Sequence, residues 1–232
     1  MNHLYDTHYH LDLQKDRQSA IQEIEENHIF TIAVTNLPDL YRKEVIEVSS
    51  KYVRIALGFH PELIHEYRTQ IPLMWDLLPN ARYVGEVGLD FSDESFKKEQ
   101  VAFFSELVER CKDDRNKIVS IHSRRAVKTV LDIIGKDFKF KPILHWFIGT
   151  DEELRGALDR GFYFSINPAM IKSKRFMQLL PLIPQERILL ETDSPFVNVH
   201  GTYANSLESL VQSLAYYGIN DLWDVFKTLL DG

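Results

Sequence analysis

The amino-acid sequence predicts an α/β protein, folded as a compact, TIM-like (β/α)8 barrel. Eight short, mostly apolar runs alternate with longer amphipathic stretches, which is typical of strands and helices in a parallel sheet. The length of 232 residues suits such a barrel at the lower part of its usual size range. Composition does not shift along the chain and no linker interrupts it, so we expect one domain over residues 1–232. An open, doubly wound sheet is the structural alternative.

Each predicted strand is short and nearly all apolar, as strands buried on both faces are. In chain order the strands cover residues 4–7, 30–35, 53–57, 83–86, 118–122, 143–145, 162–166 and 188–191. Two further stretches show the i, i+3, i+4, i+7 apolar spacing of helices that face the core. They are Phe104, Leu107, Val108 and Cys111 before the fifth strand, and Leu207, Leu210, Val211 and Leu214 after the eighth.

Composition and charge exclude several classes of protein. A single cysteine, Cys111, excludes a disulfide framework and a cysteine-rich zinc module, and it is expected in the helical core. No leader segment or uninterrupted apolar span is visible, so we expect a soluble, cytoplasmic protein without a membrane partner. With 27 Lys and Arg against 34 Asp and Glu, the net charge of −7 argues against extensive binding to duplex nucleic acid.

Side chains that can bind a metal follow five of the predicted strands. The strand ends are Asp6-Thr7-His8-Tyr9-His10, Gly85-Glu86-Val87-Gly88, Ile121-His122-Ser123, Leu144-His145-Trp146 and Glu191-Thr192-Asp193-Ser194. In a parallel barrel these ends meet on one face, where the βα loops build the functional site. Residues that are distant in sequence are therefore expected to become neighbours.

These ends predict a centre with two divalent metal ions. The six candidate ligands are His8, His10, Glu86, His122, His145 and Asp193. His8 and His10 are two residues apart and point the same way on an extended segment, and a carboxylate such as Glu86 can bridge two ions. Six ligands suffice for two ions roughly 3.5–4 Å apart. Imidazole favours Zn²⁺ whereas carboxylates and a phosphate substrate also suit Mn²⁺ or Mg²⁺, so the metal stays open.

Other polar residues near these segments are expected to have supporting or structural roles. Asp6 is expected to hydrogen-bond the first strand or a ligand imidazole rather than bind metal. Glu191 either pairs with an arginine or borders the site. Four histidines lie outside these strand ends and are expected to be exposed to solvent: His3, His28, His65 and His200.

At these residues the sequence resembles the TatD-related metal-dependent hydrolases, most of which are nucleases. The matching motifs are Asp6 to Asp12, Gly58-Phe59-His60-Pro61, Gly85 to Asp90, His122-Ser123-Arg124, Leu144-His145-Trp146-Phe147 and Leu190 to Pro195. The resemblance implies a barrel of the amidohydrolase-like type. It also implies that His8, His10, Glu86 and Asp193 surround one metal, and that Glu86, His122 and His145 hold the other.

Three segments are similar to the QatD subgroup, the TatD-like component of bacterial Qat anti-phage systems. They are residues 120–126, 143–147 and 164–170. This similarity implies partner proteins, among them an ATPase and a QueC-like protein. The chain departs from many relatives at Arg125, where they carry an acidic residue, and in the segment 198–203, where they carry a basic loop. The missing basic charge bears on nucleic-acid affinity.

The predicted activity is that of a divalent-metal-dependent phosphodiesterase, a DNase or RNase that acts at single-stranded or terminal positions. Asp193 is the candidate general base, and Glu86 would fix the two metals. His60 would contact a substrate phosphate, with loop packing as its alternative. Arg124 would do the same, with a salt bridge as its alternative. Three aromatic residues could stack on a base or serve packing: Tyr9, Trp146 and Phe147.

Two other functions fit the same sequence. The barrel and its metals could hydrolyse a non-nucleic-acid ester, an amide or an aminoacyl-tRNA. Alternatively, the chain could be a largely structural subunit of a defence complex with a vestigial site. The sequence does not choose between DNA and RNA or give the polarity of cleavage.

Overall fold

Eight parallel strands carry the fold in the computed structural model, which describes residues 3–197 and 201–231. Each predicted apolar run overlaps one strand, so the predicted alternation is confirmed. The expectations for His200 and for residues 198–200 of the altered loop lie outside the described residues. The strand bounds are β1 Tyr5–Tyr9, β2 Phe30–Val34, β3 Val53–Ala56, β4 Tyr83–Gly88, β5 Ile118–His122, β6 Lys141–His145, β7 Tyr163–Ile166 and β8 Ile188–Leu190.

The strands pair in sequence order within two sheets, β1-β2-β3 and β4-β5-β6-β7-β8. Backbone hydrogen bonds join the sheets at both gaps. Between β3 and β4, Leu57 forms an isolated parallel bridge with Val84. Between the ends of β8 and β1, Asp193 N–H donates to His8 O at 2.9 Å, and His10 N–H donates to Ser194 O at 3.0 Å. The sequential order fits the barrel prediction rather than the doubly wound alternative, in which the strand order reverses.

Helices follow the strands and cover the outside of the sheets. Their bounds are α1 Arg17–Glu26, α2 Pro38–Glu47, α3 Ile71–Leu77, α4 Lys97–Cys111, α5 Val127–Ile134, α6 Asp151–Leu158, α7 Pro168–Lys172, α8 Lys174–Leu179, α9 Tyr203–Tyr216 and α10 Leu222–Asp231. Both helices predicted from apolar spacing are present as α4 and α9. Across the described ranges, every helix is too short or too polar to cross a bilayer.

The core lies between the strands and the inner faces of the helices. In α4, Phe104, Leu107 and Cys111 are buried, as the spacing predicts. Burial raises the pKa of the Cys111 thiol to about 12, so it stays protonated and packs as a small apolar group. Phe226 of α10 stacks on Tyr5 of β1 with ring centroids 4.2 Å apart, which packs the last helix against the first strand.

Gly58, immediately after β3 and its bridge residue Leu57, allows three backbones to meet beneath the site. A Cβ at this position would lie 1.6 Å from Thr35 O and 2.7 Å from the amide nitrogen of Glu86. The Thr35 hydroxyl accepts a hydrogen bond from Gly58 N–H at 3.1 Å. Only glycine therefore fits, and the contact places the β4 backbone where Glu86 enters the site.

Candidate metal centre

The six predicted ligands converge at the carboxyl ends of the strands. His8 lies in β1, Glu86 in β4, His122 at the end of β5 and His145 at the end of β6. His10 and Asp193 lie just beyond β1 and β8 and are buried like most of the others. The structure brings all six side chains together, with the Glu86 carboxylate in their midst.

One oxygen of Glu86 faces a first group of ligands. Its Oε2 lies 3.5 Å from Nε2 of His8 and 3.5 Å from Nε2 of His10. The Asp193 Oδ1 lies 3.7 Å and 3.4 Å from the same two nitrogens. The ring of His8 is held by a 2.7 Å hydrogen bond between its Nδ1 and Ser120 Oγ, which leaves Nε2 directed at the carboxylates.

This first group fits a metal ion. The Nε2 atoms of His8 and His10 are buried and have no hydrogen-bond partner in the described part of the chain. Separations of 3.4–3.7 Å are longer than typical hydrogen bonds. Ligand atoms about 2.1 Å from a shared tetrahedral ion are separated by about 3.4 Å, so the spacing suits four ligands of one ion.

The second oxygen of Glu86 faces a group of histidines. Its Oε1 lies 2.6 Å from Nδ1 of His122, 2.8 Å from Nε2 of His145 and 3.5 Å from Nε2 of His60. The Nε2 of His122 is hydrogen-bonded to Asp90 Oδ2 at 2.8 Å. A carboxylate contacts His122 on the side away from the centre, which is the arrangement that orients histidine ligands in metalloproteins.

Burial and neighbouring charges set the protonation states of the site. Burial and the nearby His145 lower the pKa of His8 to about 4, which leaves the neutral imidazole that binds metals. Burial opposes ionisation of Glu86, but the charges of His60 and His145 and a hydrogen bond from His122 hold its pKa well below the usual range. Burial likewise opposes a charge on His122, but hydrogen bonds to Asp90 and Glu86 raise its pKa to about 9.

Asp6 joins the two chain segments that carry the first group. Its carboxylate accepts hydrogen bonds from His8 N–H at 2.9 Å and from the Thr192 hydroxyl at 2.6 Å. The hydroxyl of Tyr203, in the first turn of α9, donates to the same carboxylate at 3.0 Å. Asp6 bonds the first strand, as expected, and thereby fixes the backbone beside His8 and Asp193.

Glu191 borders the site and pairs with no arginine among residues 3–197 and 201–231. It accepts hydrogen bonds from Asn167 Nδ2 at 2.9 Å and from Trp146 N–H at 3.1 Å, and also from Ser165 Oγ. Its Oε2 lies 3.8 Å from Nδ1 of His145. Burial and the neighbouring charge of Asp193 raise its pKa well above the usual range. Of the two roles considered, the structure favours contact with the site.

The predicted substrate contacts have different surroundings. His60 lies at the edge of the centre, where its Nδ1 accepts a hydrogen bond from Glu62 N–H at 3.3 Å. Arg124 is exposed in the loop after β5 and makes no ion pair within the described ranges, so the salt-bridge alternative is not supported. Tyr9 and Phe147 are 3% and 1% exposed, so they cannot stack on a base and serve packing instead.

Sequence reasoning gave no functional role to three residues that lie at or near the centre. Asp90 ends the Gly85 to Asp90 motif and contacts His122, so its motif position was an available signal. Tyr203 contacts Asp6 from ten residues beyond Asp193, where no motif marks it. Phe196 is 60% exposed, and its ring centroid lies 5.0 Å from that of His10.

The histidines expected to be exposed lie apart from the six ligands. His3 and His28 are exposed. The side chain of His65 is 43% exposed and stacks on Phe96 with centroids 4.0 Å apart.

Comparisons with known proteins agree with the fold and give the family. The sequence model of the family described as TatD related DNase matches residues 5–222. The deoxyribonuclease TATDN3 of Homo sapiens is 27% identical over 215 residues, which cover 83% of this chain and 78% of that protein. The 3'-5' ssDNA/RNA exonuclease TatD of Pantoea ananatis is 28% identical over 195 residues, covering 78% and 74%. The crystal structure of the TatD homologue YJJV of Escherichia coli matches with a TM-score of 0.78 at 19% identity, covering 98% of this chain and 95% of that one.

Proposed function

Because this chain belongs to the TatD-related DNase family of metal-dependent hydrolases, we propose that it is a divalent-metal-dependent phosphodiesterase that cuts DNA or RNA. The observation that carries the proposal is the placement of Glu86. Each of its two oxygens faces a separate group of potential ligands, and the buried Nε2 atoms of His8 and His10 have no other partner in the described residues.

We assign two divalent ions, Zn²⁺, Mn²⁺ or Mg²⁺, to this centre. His8, His10, Asp193 and Glu86 would hold one, and Glu86, His122 and His145 the other. Divalent ions bound there would neutralise the charge of a phosphodiester and lower the pKa of a water molecule toward neutrality. Glu86 acts by fixing the two groups of ligands relative to each other.

The residues of the chain itself complete the chemistry. Asp193 is the general base: its carboxylate lies at the floor of the site and accepts the proton of the attacking water. His60, at the edge of the centre beside Glu86, orients a phosphate oxygen. Arg124, exposed and without an ion pair in the described chain, offers a guanidinium to the next phosphate.

The substrate positions are single-stranded or terminal. A net charge of −7 gives little attraction for the two backbones of a long duplex, whereas one strand needs only a few phosphate contacts near the centre. The relative from Pantoea ananatis bears the name of a single-strand exonuclease, which supports this assignment.

Cleavage of defined oligonucleotides tests the proposal. Purified protein with Mn²⁺, Mg²⁺ or Zn²⁺ should shorten labelled single-stranded DNA or RNA faster than the matching duplex. The Asp193→Asn variant should lose at least about a hundredfold in rate, because it removes the proton acceptor. The matched control is Asp132→Asn, an exposed aspartate that pairs only with Lys128; it should keep full activity.

Failure of the wild type to cleave any strand, or equal rates for wild type and Asp193→Asn, would refute the proposal. In that event, the same variants would be tested on small esters, amides and aminoacyl-tRNA. Hydrolysis of one of these would indicate another substrate, and no hydrolysis would indicate a purely structural subunit. Elemental analysis of protein never exposed to chelator reports the number and identity of the bound ions.

We further propose that the chain acts in the cytoplasm as part of a bacterial anti-phage system of the Qat type. The similarity of residues 120–126, 143–147 and 164–170 to the QatD subgroup supports this role. Co-purification with the ATPase and the QueC-like protein of such a system is the test. Phage plating with Asp193→Asn in place of the wild type shows whether protection needs the chemistry or only the assembly.

A further inference from the structure

One large aromatic ring at the mouth of the metal centre is exposed to solvent. Phe196 lies three residues beyond Asp193 and is 60% exposed, in contrast to the buried Tyr9 and Phe147. Its ring meets the ring of His10 at an interplanar angle of 85°, with centroids 5.0 Å apart. An apolar ring in contact with a ligand side chain is thus presented to whatever enters the site.

Hydrogen bonds and a buried neighbour fix the segment that carries the exposed Phe196. Phe196 N–H donates to Asp193 O at 2.9 Å, and Val197 N–H donates to the same oxygen at 3.2 Å. Val197 is buried, so it anchors the segment next to the exposed ring. Gln14 donates from its side-chain amide to Ser194 O at 3.2 Å and to His10 O at 2.9 Å, which fastens this segment to the loop after β1.

We propose that Phe196 is the platform on which the base of the nucleotide next to the scissile phosphate stacks. The inference rests on the proposed function and specifies how the substrate is held. A phosphate placed over Glu86 and Asp193 lies beside His10, and the base attached through its sugar reaches outward from that point. Among the described residues, Phe196 is the exposed aromatic ring that contacts His10, so it is placed to receive that base.

Stacking on Phe196 explains how a chain with few basic residues around its site can prefer single strands. A base exposes its face only where it is unpaired and unstacked, as at a strand end or in a single strand. Because every base has such a face, the platform discriminates little between sequences. It also supplies affinity that does not depend on positive charge, which suits a chain with a net charge of −7.

Binding of intact and abasic oligonucleotides tests the platform directly. Fluorescence anisotropy would compare a labelled oligothymidylate with an abasic strand of the same length, each titrated with wild type, Phe196→Ala and Phe196→Trp. We expect Phe196→Ala to bind oligothymidylate about tenfold more weakly and the abasic strand with unchanged affinity. Phe196→Trp should restore binding, because a larger ring still stacks. Tyr216→Ala, which removes an 85% exposed aromatic ring on α9, is the matched control and should change neither affinity.

The possible outcomes separate this inference from the proposed function. Base-dependent binding that needs an aromatic residue at 196, in a protein that cleaves no phosphodiester, supports the platform and refutes the nuclease. If Asp193→Asn abolishes cleavage, but Phe196→Ala changes neither the Kd for the strand nor the KM for its cleavage, the nuclease is supported and the platform is refuted. Equal binding of intact and abasic strands by the wild type, or no binding of either, also refutes the platform.

Discussion

Removal of the Tyr203 hydroxyl isolates the contact that joins α9 to the metal centre. The Tyr203→Phe variant keeps the ring and its packing against Tyr9, whose centroid lies 4.7 Å away. It loses an oxygen that donates to Asp6 at 3.0 Å and lies 3.1 Å from the Thr31 hydroxyl. Thr31 still donates to Ile29 O at 3.2 Å, so the principal loss is one donor to the buried Asp6 carboxyl group.

The expected cost depends on pH, because Asp6 titrates. Burial raises the pKa of Asp6 to about 7 despite the hydrogen bonds from Thr192, His8 and Tyr203 that favour its charged form. Above that pH the lost bond is one to a carboxylate, worth about 1.5–3 kcal/mol. Below it the acid is neutral and the bond is worth about 1 kcal/mol. Tyr203→Phe should therefore lower the free energy of unfolding by about 2 kcal/mol at pH 8.5 and by about 1 kcal/mol at pH 5.5.

Urea denaturation at these two pH values measures the difference. The matched control is Tyr5→Phe, which removes another buried tyrosine hydroxyl, one that has no hydrogen-bond partner within the described residues. Tyr5→Phe should be neutral or stabilising, since an unpaired buried hydroxyl costs free energy in the native state. The reasoning fails if Tyr203→Phe costs less than about 0.5 kcal/mol at pH 8.5, or if Tyr5→Phe costs as much as Tyr203→Phe.

Three further substitutions test other parts of the structure. Gly58→Ala should lower the free energy of unfolding by about 3 kcal/mol, measured in urea, because the added methyl group overlaps Thr35 O; wild-type stability would contradict the close approach. Burial raises the pKa of Glu44 to about 7 from 4.5, so ionisation destabilises the wild type as pH rises through this interval. Glu44→Gln should therefore gain stability relative to wild type by about 3 kcal/mol between pH 4.5 and 7, and a constant difference would argue against it. Asp90→Asn should weaken binding of the ion that we assign to His122 by about 10–100-fold in calorimetric titration with Zn²⁺ or Mn²⁺, and unchanged affinity would show that this carboxylate does not orient the imidazole.

The strands and the convergence of six polar side chains could be predicted because both follow from local rules. Buried parallel strands are apolar, so a polar side chain at a strand end stands out in the sequence. The carboxyl ends of such strands share one face of a barrel, which brings His8 near Asp193 without any knowledge of the packing. The motif from Gly85 to Asp90 and the other motifs show which polar residues stand at these strand ends.

The alternatives that the sequence left open were decided by equally specific physical causes. Tyr9 lies between His8 and His10 on an extended segment, so alternation directs it away from the centre, where it packs against Tyr203. Phe147 packs edge-on against Phe164 with centroids 5.4 Å apart. The period-2 rule that placed the two histidines together would have excluded Tyr9 from stacking on a substrate.

Contacts made by later loops could not be read from spacing. Tyr203 and Asp6 are 197 positions apart, and their hydrogen bond depends on how α9 returns to the barrel after β8. The exposure of Phe196 depends on which side of its loop is anchored by Val197. Neither periodicity nor strand-end position determines such packing, so these residues required the three-dimensional structure.

The hydrogen bonds of Asp6 with Thr192 and Tyr203 link residues that are made early in translation to residues that are made late. A ribosome makes His8 and His10 first, and the aspartate that completes their group is added 183 residues after His10. The tyrosine that secures this junction is made ten residues later still. A nascent chain that has not yet reached Asp193 therefore lacks a complete centre, and one that ends before Tyr203 lacks the hydrogen bond that secures Asp6.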